Sequence, residues 1–174
     1  MPTPEELAAD PRFPWTRELR PKTLSTPTIP EPARAGVERA ICSLCARPDS
    51  AYLWANEHWR LLPFTDVPLR GCAILESRIH ADSFVDLPRD VSASLGPVIA
   101  QVERAILSIG DVARVHVSRW GEGIAHFHAW FMPRPKGQLE LRGPALMAWV
   151  DALPPLDSGI AAEAHDKIAR AMRA

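Results

Sequence analysis

The sequence predicts an α+β fold built on one mainly antiparallel sheet. Short apolar runs separated by turn-forming residues indicate consecutive strands, and one later segment has apolar residues at helical spacing over several turns. Two segments near the C-terminus also have helical spacing. A chain of 174 residues, 47% of them hydrophobic, is long enough for one domain with a complete core.

The predicted elements follow one another in a simple order. The runs AYLWAN, HWRLLPF and GCAILES are predicted strands, and residues 88–109 predict one amphipathic helix, with Pro97 as an alternative start. VARVHVSRW alternates like a half-buried strand, GEG at 121–123 makes a turn, and residues 124–135, IAHFHAWFMPRP, form a buried strand. GPALMAWVDALPP and SGIAAEAHDKIARAMRA are predicted helices. We therefore expect about five strands, one long packing helix and C-terminal helices.

Residues 1–35 are predicted to be an extended arm in front of a domain at 36–174. The arm holds eight of the eighteen prolines, which exclude a long helix or a central strand. Its apolar residues Phe13, Trp15 and Leu19 indicate that it lies against the domain or a partner subunit, with disorder as the alternative for the first ten residues.

Composition excludes several classes of function. The net charge is −1, and acidic and basic residues are mixed throughout, so no basic stripe for nucleic acid is present. The N-terminus does not resemble a secretion signal and no apolar window is long enough for a membrane span, so we expect a cytosolic protein without a membrane partner. Three cysteines make a disulfide framework improbable.

The segment IAHFHAWFMPRP raises the question of what its histidines do. In a strand, one side carries Ala125, Phe127, Ala129 and Phe131, which we assign to the core, and the other carries His126, His128, Trp130 and Met132. Two imidazoles on one face need partners, either a metal ion that they coordinate or a ligand or water that they hydrogen-bond.

A second motif, CSLC at Cys42 to Cys45, has the spacing that lets two thiolates bind one tetrahedral ion. Such an ion needs two more ligands. The candidates are His58, His80, His116, His126 and His128. The alternative is a pair of ordinary half-buried cysteines.

The order of these features resembles that of the histidine triad (HIT) superfamily. CxxC is followed by strands, a histidine before the helix, a further strand, a glycine turn and His-x-His, and the resemblance covers residues 40–136. The superfamily includes HINT-like nucleotide hydrolases and galactose-1-phosphate uridylyltransferase. The resemblance implies a HIT-like fold and, commonly, a homodimer.

In the zinc-bearing branches of that superfamily, the CxxC thiolates, a histidine after an early strand and the first motif histidine hold the metal. The resemblance therefore implies a structural Zn²⁺ on Cys42, Cys45, His80 and His126. The second motif histidine is the family's nucleophile, so His128 would attack the α-phosphorus of a nucleotide and form a covalent intermediate. The alternative is that His128 only lines a pocket.

The chain departs from the family pattern around the expected phosphate. Trp130 stands in place of the third histidine, and its indole cannot carry positive charge. The uridylyltransferase branch has glutamine there, so this loss does not exclude catalysis. Family hydrolases have Gly-Gln-Ser or Gly-Gln-Thr in the preceding turn, which supplies neutral hydrogen-bond donors to the phosphate, whereas this chain has Glu122 and Gly123 after Gly121. A carboxylate at Glu122 would repel a phosphate unless it is paired. Arg119 or Arg134 could pair with Glu122 or hold the phosphate directly.

Three hypotheses follow. The first is a zinc-containing hydrolase or transferase that acts on a nucleotide or another phosphate-linked small molecule through His128, with Trp120 and Trp130 lining the ligand pocket. The second is a catalytically degenerate relative that binds a ligand or partner and keeps the zinc. The third is a catalytic zinc close to His128, with an open position for water.

Overall fold

Five strands within the described residues form one antiparallel sheet. They are β1 (Trp54–Ala55), β2 (Trp59–Pro63), β3 (Ala73–Ser77), β4 (Val112–Ser118) and β5 (His128–Pro135). Their order across the sheet is β1-β2-β3-β5-β4, so the last strand in sequence lies between its two partners. The predicted α+β class with an antiparallel sheet of five strands is confirmed.

The computed structural model describes Glu6, Ala9, Asp10, Arg12, Pro14 and residues 23–174. Residues 23–34 contain no helix or strand, and Ala35 then forms a parallel bridge with Ile124. The predicted packing of the arm through Phe13, Trp15 and Leu19 lies outside the described residues and stays a prediction.

Within residues 23–174 the helices are α1 (Ser43–Ala46), α2 (Arg89–Leu107), α3 (Ala145–Ala152) and α4 (Ser158–Arg173). Pro97 lies inside α2, so the alternative helix start at Pro97 is wrong. A proline removes one hydrogen bond to the residue four positions earlier, here Ala93. Because Ala93 and Pro97 are both exposed, water can satisfy the free carbonyl group.

The main core lies between one face of the sheet and the helices α2 and α4. Phe127, Ala129 and Phe131 belong to this core, as the alternation predicted. Residues of α2 such as Val102 and of α4 such as Ile168 pack against them with no exposed surface. Burial of these side chains supplies most of the free energy that holds the helices to the sheet.

The opposite face of the sheet carries a second apolar cluster. Met132 and Trp130 of β5 pack there with Leu146 and Met147 of α3 and with Phe64, which follows β2. Both faces of the sheet are therefore covered, one by α2 and α4 and the other, in part, by α3.

All five predicted strands are shorter in the structure, and two of them are shortened most. Only Trp54 and Ala55 of the run AYLWAN pair with β2, because a 3-10 turn occupies Asp49–Ala51. The motif strand begins at His128 instead of residue 124. The backbone N–H of Phe127 donates to Ala81, and its carbonyl accepts from Ser77, so the chain bends before entering the sheet.

Within the part of the chain that the structure describes, no helix combines the length and apolar character needed to cross a membrane.

The start of α4 provides a test of the fold. The Asp157 carboxylate accepts hydrogen bonds from the backbone N–H groups of Gly159 (2.8 Å) and Ile160 (3.3 Å). We expect Asp157→Ala to lower the free energy of unfolding by about 1 kcal/mol, because two amides lose their partner. Chemical denaturation measures the change. Asp166→Ala is the matched control, since Asp166 is exposed on the same helix, and an equal loss there would contradict the capping role.

Candidate functional site

Two cysteines and two histidines converge beside the sheet. One ligand atom from each of Cys42, Cys45, His80 and His126 lies within 4.8 Å of the others. Nδ1 of His126 is 3.4 Å from Sγ of Cys42 and 3.5 Å from Sγ of Cys45, and Nδ1 of His80 is 3.4 Å from Sγ of Cys45. Bonds of about 2.3 Å to sulfur and about 2.0 Å to nitrogen place such atoms about 3.5 Å apart around a tetrahedral ion. The distances therefore suit zinc.

The other nitrogen of each imidazole fixes its tautomer. Nε2 of His126 is 2.8 Å from the carbonyl oxygen of Ser77, and Nε2 of His80 is 3.1 Å from that of Val37. A carbonyl oxygen only accepts hydrogen bonds, so both Nε2 atoms carry the proton. Both Nδ1 lone pairs then point at the thiols, which is the orientation that a metal ligand requires.

Burial sets the charge preference of this cluster. It lowers the pKa of His126, which is fully buried, and thus favours a neutral imidazole. Burial and the adjacent Cys42 raise the pKa of Cys45. A bound cation would offset the cost of burying a negatively charged thiolate and so favour that form. The donor set therefore fits a metal.

The remaining histidine candidates lie outside the cluster. His58 has its Nε2 3.5 Å from Glu57 and 4.0 Å from Asp90, and His116 lies on β4. The structure thus brings together the four residues that the resemblance implied, and no others among the candidates.

His128, at the start of β5, is oriented by the backbone of the cluster. Its Nδ1 is 2.8 Å from the carbonyl oxygen of His126 and must carry the proton. In the neutral imidazole the Nε2 atom then keeps its lone pair, and no hydrogen bond from the described residues occupies it. The side chain is 8% exposed, so one nitrogen is fixed while the other remains available.

A buried charge network lies next to His128 and was not found in the sequence. Glu76 is paired with His128 across the strands and accepts hydrogen bonds from Arg47 (2.7 Å) and the Tyr52 hydroxyl (2.6 Å). Burial and the hydrogen bond to Glu76 raise the pKa of Tyr52 to about 12. The available signal was a charged residue at Glu76 inside an apolar run.

Arg60 joins this network to the CxxC turn. Its guanidinium lies 4.6 Å from the centre of the Tyr52 ring and donates to the carbonyl oxygens of Leu44 (2.9 Å) and Arg47 (3.2 Å). Arg60 is 4% exposed, and Glu76 is 1% exposed. The helix α1, which contains Cys45, is therefore tied to the same strands that position His128.

Trp130 occupies an aromatic cluster instead of contributing a charge. Its ring packs edge-on against Phe64 at 4.8 Å, and the rings of Trp120 and His128 lie 6.1 and 6.3 Å away. A cavity of about 250 Å³ begins at Phe64 and Trp130 and has the carboxylates of Asp66 and Asp151 in its wall. The ligand contact predicted for Trp130 stays a prediction, and the sequence did not indicate Phe64 and Asp66 as neighbours in the same cavity wall.

Arg119 is engaged away from His128. Its guanidinium donates to the carbonyl oxygen of Asp82 and lies 5.5 Å from the ring centre of Phe84 and 5.3 Å from that of Phe127. Phe127 belongs to the main core, on the opposite face from His128. Arg134 donates to the carbonyl oxygens of its own loop at Pro135 (3.3 Å) and Gln138 (3.5 Å).

The glycine turn is held by the end of the arm. Arg34 forms an ion pair with Asp82, which lowers the pKa of that carboxyl, and donates to the carbonyl oxygen of Gly121 at 2.7 Å. The carbonyl oxygen of Gly123 accepts from the N–H of Ala35 at 3.3 Å. Glu122 is exposed and makes no described hydrogen bond. Its predicted contact with a ligand, like those of Gly123, Arg119 and Arg134, stays a prediction.

Solved structures share this fold. A zinc-bound histidine triad family protein from Mycobacterium smegmatis matches with a TM-score of 0.57 at 16% identity, over 78% of this chain and 96% of that one. A hypothetical histidine triad nucleotide-binding protein from Sulfolobus tokodaii matches with a TM-score of 0.58 at 14% identity, over 76% and 92%. A histidine triad protein from Bradyrhizobium japonicum matches with a TM-score of 0.57 at 19% identity, over 70% and 89%.

The class is therefore defined by the fold: this chain has the fold of the histidine triad proteins, which confirms the resemblance at that level. No protein-family model and no characterised sequence matches the chain.

The cluster makes a prediction about metal binding. We expect one zinc ion per chain by elemental analysis, and we expect Cys45→Ser to weaken zinc binding by roughly 10-fold or more, because it removes one of four ligands. Competition with a chromogenic chelator measures the affinity. Cys72→Ala is the matched control: Cys72 is buried in the second apolar cluster, and burial raises the pKa of its thiol to about 12. Equal zinc affinity in the wild type and Cys45→Ser would contradict the site.

Proposed function

We propose that the protein is a zinc-containing hydrolase or transferase that acts on a nucleotide or a related phosphate-linked small molecule, with His128 as the nucleophile. The observation that carries this proposal is the hydrogen bond from Nδ1 of His128 to the carbonyl oxygen of His126. It leaves the lone pair on Nε2, where a neutral imidazole is nucleophilic near pH 7.

We propose Cys42, Cys45, His80 and His126 as the metal ligands. Four protein donors complete a tetrahedral shell, so zinc, when bound, would supply a fixed cross-link between the CxxC turn and the motif segment rather than an activated water. The same donor count argues against the hypothesis of a catalytic zinc. The proposed location is the cytosol, where reducing conditions keep such cysteines available as thiols.

The proposed reaction has two displacements at phosphorus. Nε2 of His128 forms a bond to the α-phosphorus while the bond from phosphorus to the leaving oxygen breaks, and that oxygen takes the electron pair and then a proton from solvent. An acceptor oxygen, from water or a second molecule, next bonds to the phosphorus as the bond to Nε2 breaks, and the acceptor's proton passes to solvent. Trp130 can donate one hydrogen bond from its indole N–H but supplies no charge.

The cavity beside Trp130 supports a nucleoside as the non-reacting part of the ligand. Phe64 and Trp130 offer apolar ring surfaces to a flat base, and the Asp66 carboxylate can accept hydrogen bonds from sugar hydroxyl groups. The volume of about 250 Å³ is just below the roughly 300 Å³ at which ligand pockets usually begin, so this cavity would hold only part of such a ligand.

A second candidate is a protein that binds such a ligand without turnover. It is favoured by the charge distribution: Arg119 is engaged with Asp82, and Trp130 packs among aromatic rings. The guanidinium groups of Arg47 and Arg60, in the network next to His128, are bonded to Glu76 and to backbone carbonyl oxygens, so their charge is partly offset within the protein.

Chemical trapping separates the two candidates. With nucleotides labelled at the α-phosphorus, we expect an acid-labile, alkali-stable protein adduct that His128→Ala abolishes, because the bond forms on Nε2. Acid-free gel analysis of quenched samples measures the adduct. The control is His58→Ala, which removes a histidine whose side chain lies beside Glu57 and Asp90, outside the four-residue cluster, and is expected to retain the adduct.

Absence of both adduct and turnover across adenosine, guanosine and uridine nucleotides would contradict the enzymatic proposal. Calorimetric binding of the same nucleotides that is unchanged by His128→Ala would then support the second candidate.

We also propose a homodimer. The exposed edge of β4 supports it, since this seven-residue outer strand has backbone groups available for pairing. Light scattering is expected to give twice the chain mass of 19.2 kDa at micromolar concentration. A monomer mass across that range would contradict the proposal.

A further inference from the structure

A row of polar side chains crosses the sheet and ends at His128. Arg60 on β2 is opposite Glu76 on β3, and Glu76 is opposite His128 on β5. Directly opposite residues of antiparallel strands point to the same face, with Cβ atoms about 5 Å apart. The three side chains therefore begin side by side on the face of the candidate nucleophile, away from the main core.

The charges of this row and of Arg47 do not cancel. Arg47 and Arg60 supply two guanidinium groups, and among the described residues Glu76 is the only carboxylate that forms an ion pair with either of them. The Tyr52 hydroxyl stays neutral near pH 7, since burial and Glu76 raise its pKa to about 12. One positive charge therefore remains in the network beside His128. Two thiolates, two neutral imidazoles and Zn²⁺ have no net charge together, so an occupied metal site would not cancel it.

The third position of the motif offers no charge of this kind. Trp130 is opposite Ile74, in the next row of the same sheet face, and packs against the ring of Phe64. An imidazolium could stabilise a developing anion there, whereas an indole can only donate one neutral hydrogen bond. Positive charge for a phosphate at His128 must therefore come from another part of the site, and the network in the same row as His128 carries it.

Arg47 is the charged member of the network that a ligand can reach. Its side chain is 28% exposed, whereas those of Arg60 and Glu76 are buried. Arg60 also donates to the carbonyl oxygens of Leu44 and Arg47, which hold it against the CxxC helix. The bond from Arg47 to Glu76 engages one terminal nitrogen, and a guanidinium has five N–H donors, so donors of Arg47 remain for a ligand.

Glu76 does not present its own charge to a ligand. Its two carboxylate oxygens accept hydrogen bonds, Oε1 from Arg47 and Oε2 from Tyr52, and the residue is almost fully buried. A charge-assisted bond to a shielded carboxylate restricts where the guanidinium of Arg47 can lie. Glu76 is therefore suited to position Arg47.

We propose that Arg47 is a phosphate-binding residue of the site: its remaining N–H groups hydrogen-bond phosphate oxygens of a ligand at His128, and Glu76 is the positioning residue for its guanidinium. The inference rests on the proposed function, because it assumes a phosphate group at His128. It deepens that function by assigning the source of positive charge that Trp130 does not supply. The site then selects an ionised nucleotide over the corresponding nucleoside.

Equilibrium binding tests the role of Arg47 without turnover. The parent is the zinc-loaded, full-length His128→Ala protein, and calorimetry measures its affinity for adenosine, guanosine and uridine 5′-monophosphates and for the three nucleosides. We expect at least one monophosphate to bind roughly 10-fold or more tightly than its nucleoside. Arg47→Met is expected to weaken binding of that monophosphate by about 10-fold or more and binding of the nucleoside by less than about 2-fold, because only the phosphate contact is lost.

A double variant separates the contact from the charge of the network. Arg47→Met alone leaves the buried Glu76 without its closest ion-pair partner, whereas Arg47→Met with Glu76→Gln removes both charges and keeps the net charge of the network. We expect the double variant to lose the same phosphate affinity, since the N–H groups of Arg47 are absent in both. Thermal unfolding checks that each variant is folded.

Arg78→Met is the matched control. The side chain of Arg78 is 33% exposed and pairs with another carboxylate, that of Asp49, at 2.6 Å. It is as exposed and as well paired as Arg47 but does not contact Glu76. We therefore expect the control to bind nucleotides and nucleosides as the parent does.

Three results would overturn the role of Arg47: a parent that prefers no monophosphate over its nucleoside, an unchanged preference in the folded Arg47 variants, or an equal loss in Arg78→Met. A loss of phosphate affinity confined to the Arg47 variants supports it. Trapping measures a covalent bond to His128 in the wild type, whereas these titrations use a chain without His128. An adduct together with unchanged phosphate affinity would therefore count only against Arg47, and the reverse pattern only against the enzymatic proposal.

Discussion

The hydrogen bonds of His126 are the interactions on which the rest of the site depends. Its ring lies between the thiols of Cys42 and Cys45 and the carbonyl oxygen of Ser77, and its own carbonyl oxygen accepts from His128. One residue thus sets the direction of a lone pair that faces the two thiols, through its ring, and the tautomer of the candidate nucleophile, through its backbone carbonyl. A shift of the His126 backbone would move both.

The buried network of Arg60, Glu76 and Tyr52 supplies a second connection between the CxxC turn and the strands beside His128. Breaking a buried ion pair leaves an uncompensated charge, so such a network tolerates few alternative arrangements. Here it holds the CxxC helix against β2 and β3, the strands next to the motif strand. The candidate metal ligands and the candidate nucleophile are therefore connected through the same strands rather than through separate loops.

Local patterns predicted much of this arrangement. Alternation along the strand assigned Phe127, Ala129 and Phe131 to the core, and the two-residue gap in CSLC brought both thiols to one point. These features depend on backbone geometry within a few residues. The choice of His80 and His126 over the other histidines came from the resemblance, because spacing within one segment cannot specify contacts between distant ones.

What sequence reasoning missed depends on tertiary context. Pro97 stays inside a helix because its turn faces water, a property that periodicity alone does not report. The ligand contact predicted for Arg119 stays a prediction, but its contacts with Asp82 and with two rings from other segments were not predicted. Glu76 was not singled out in the sequence, since its partners Arg47 and Tyr52 lie far from it along the chain.

The position of α3 has a consequence for how a ligand reaches this face. The helix packs over β5 through Leu146 and Met147, so it covers the sheet surface beyond Trp130. A ligand that approaches this part of the face must therefore enter beside α3, because the helix occupies the space directly over the strands.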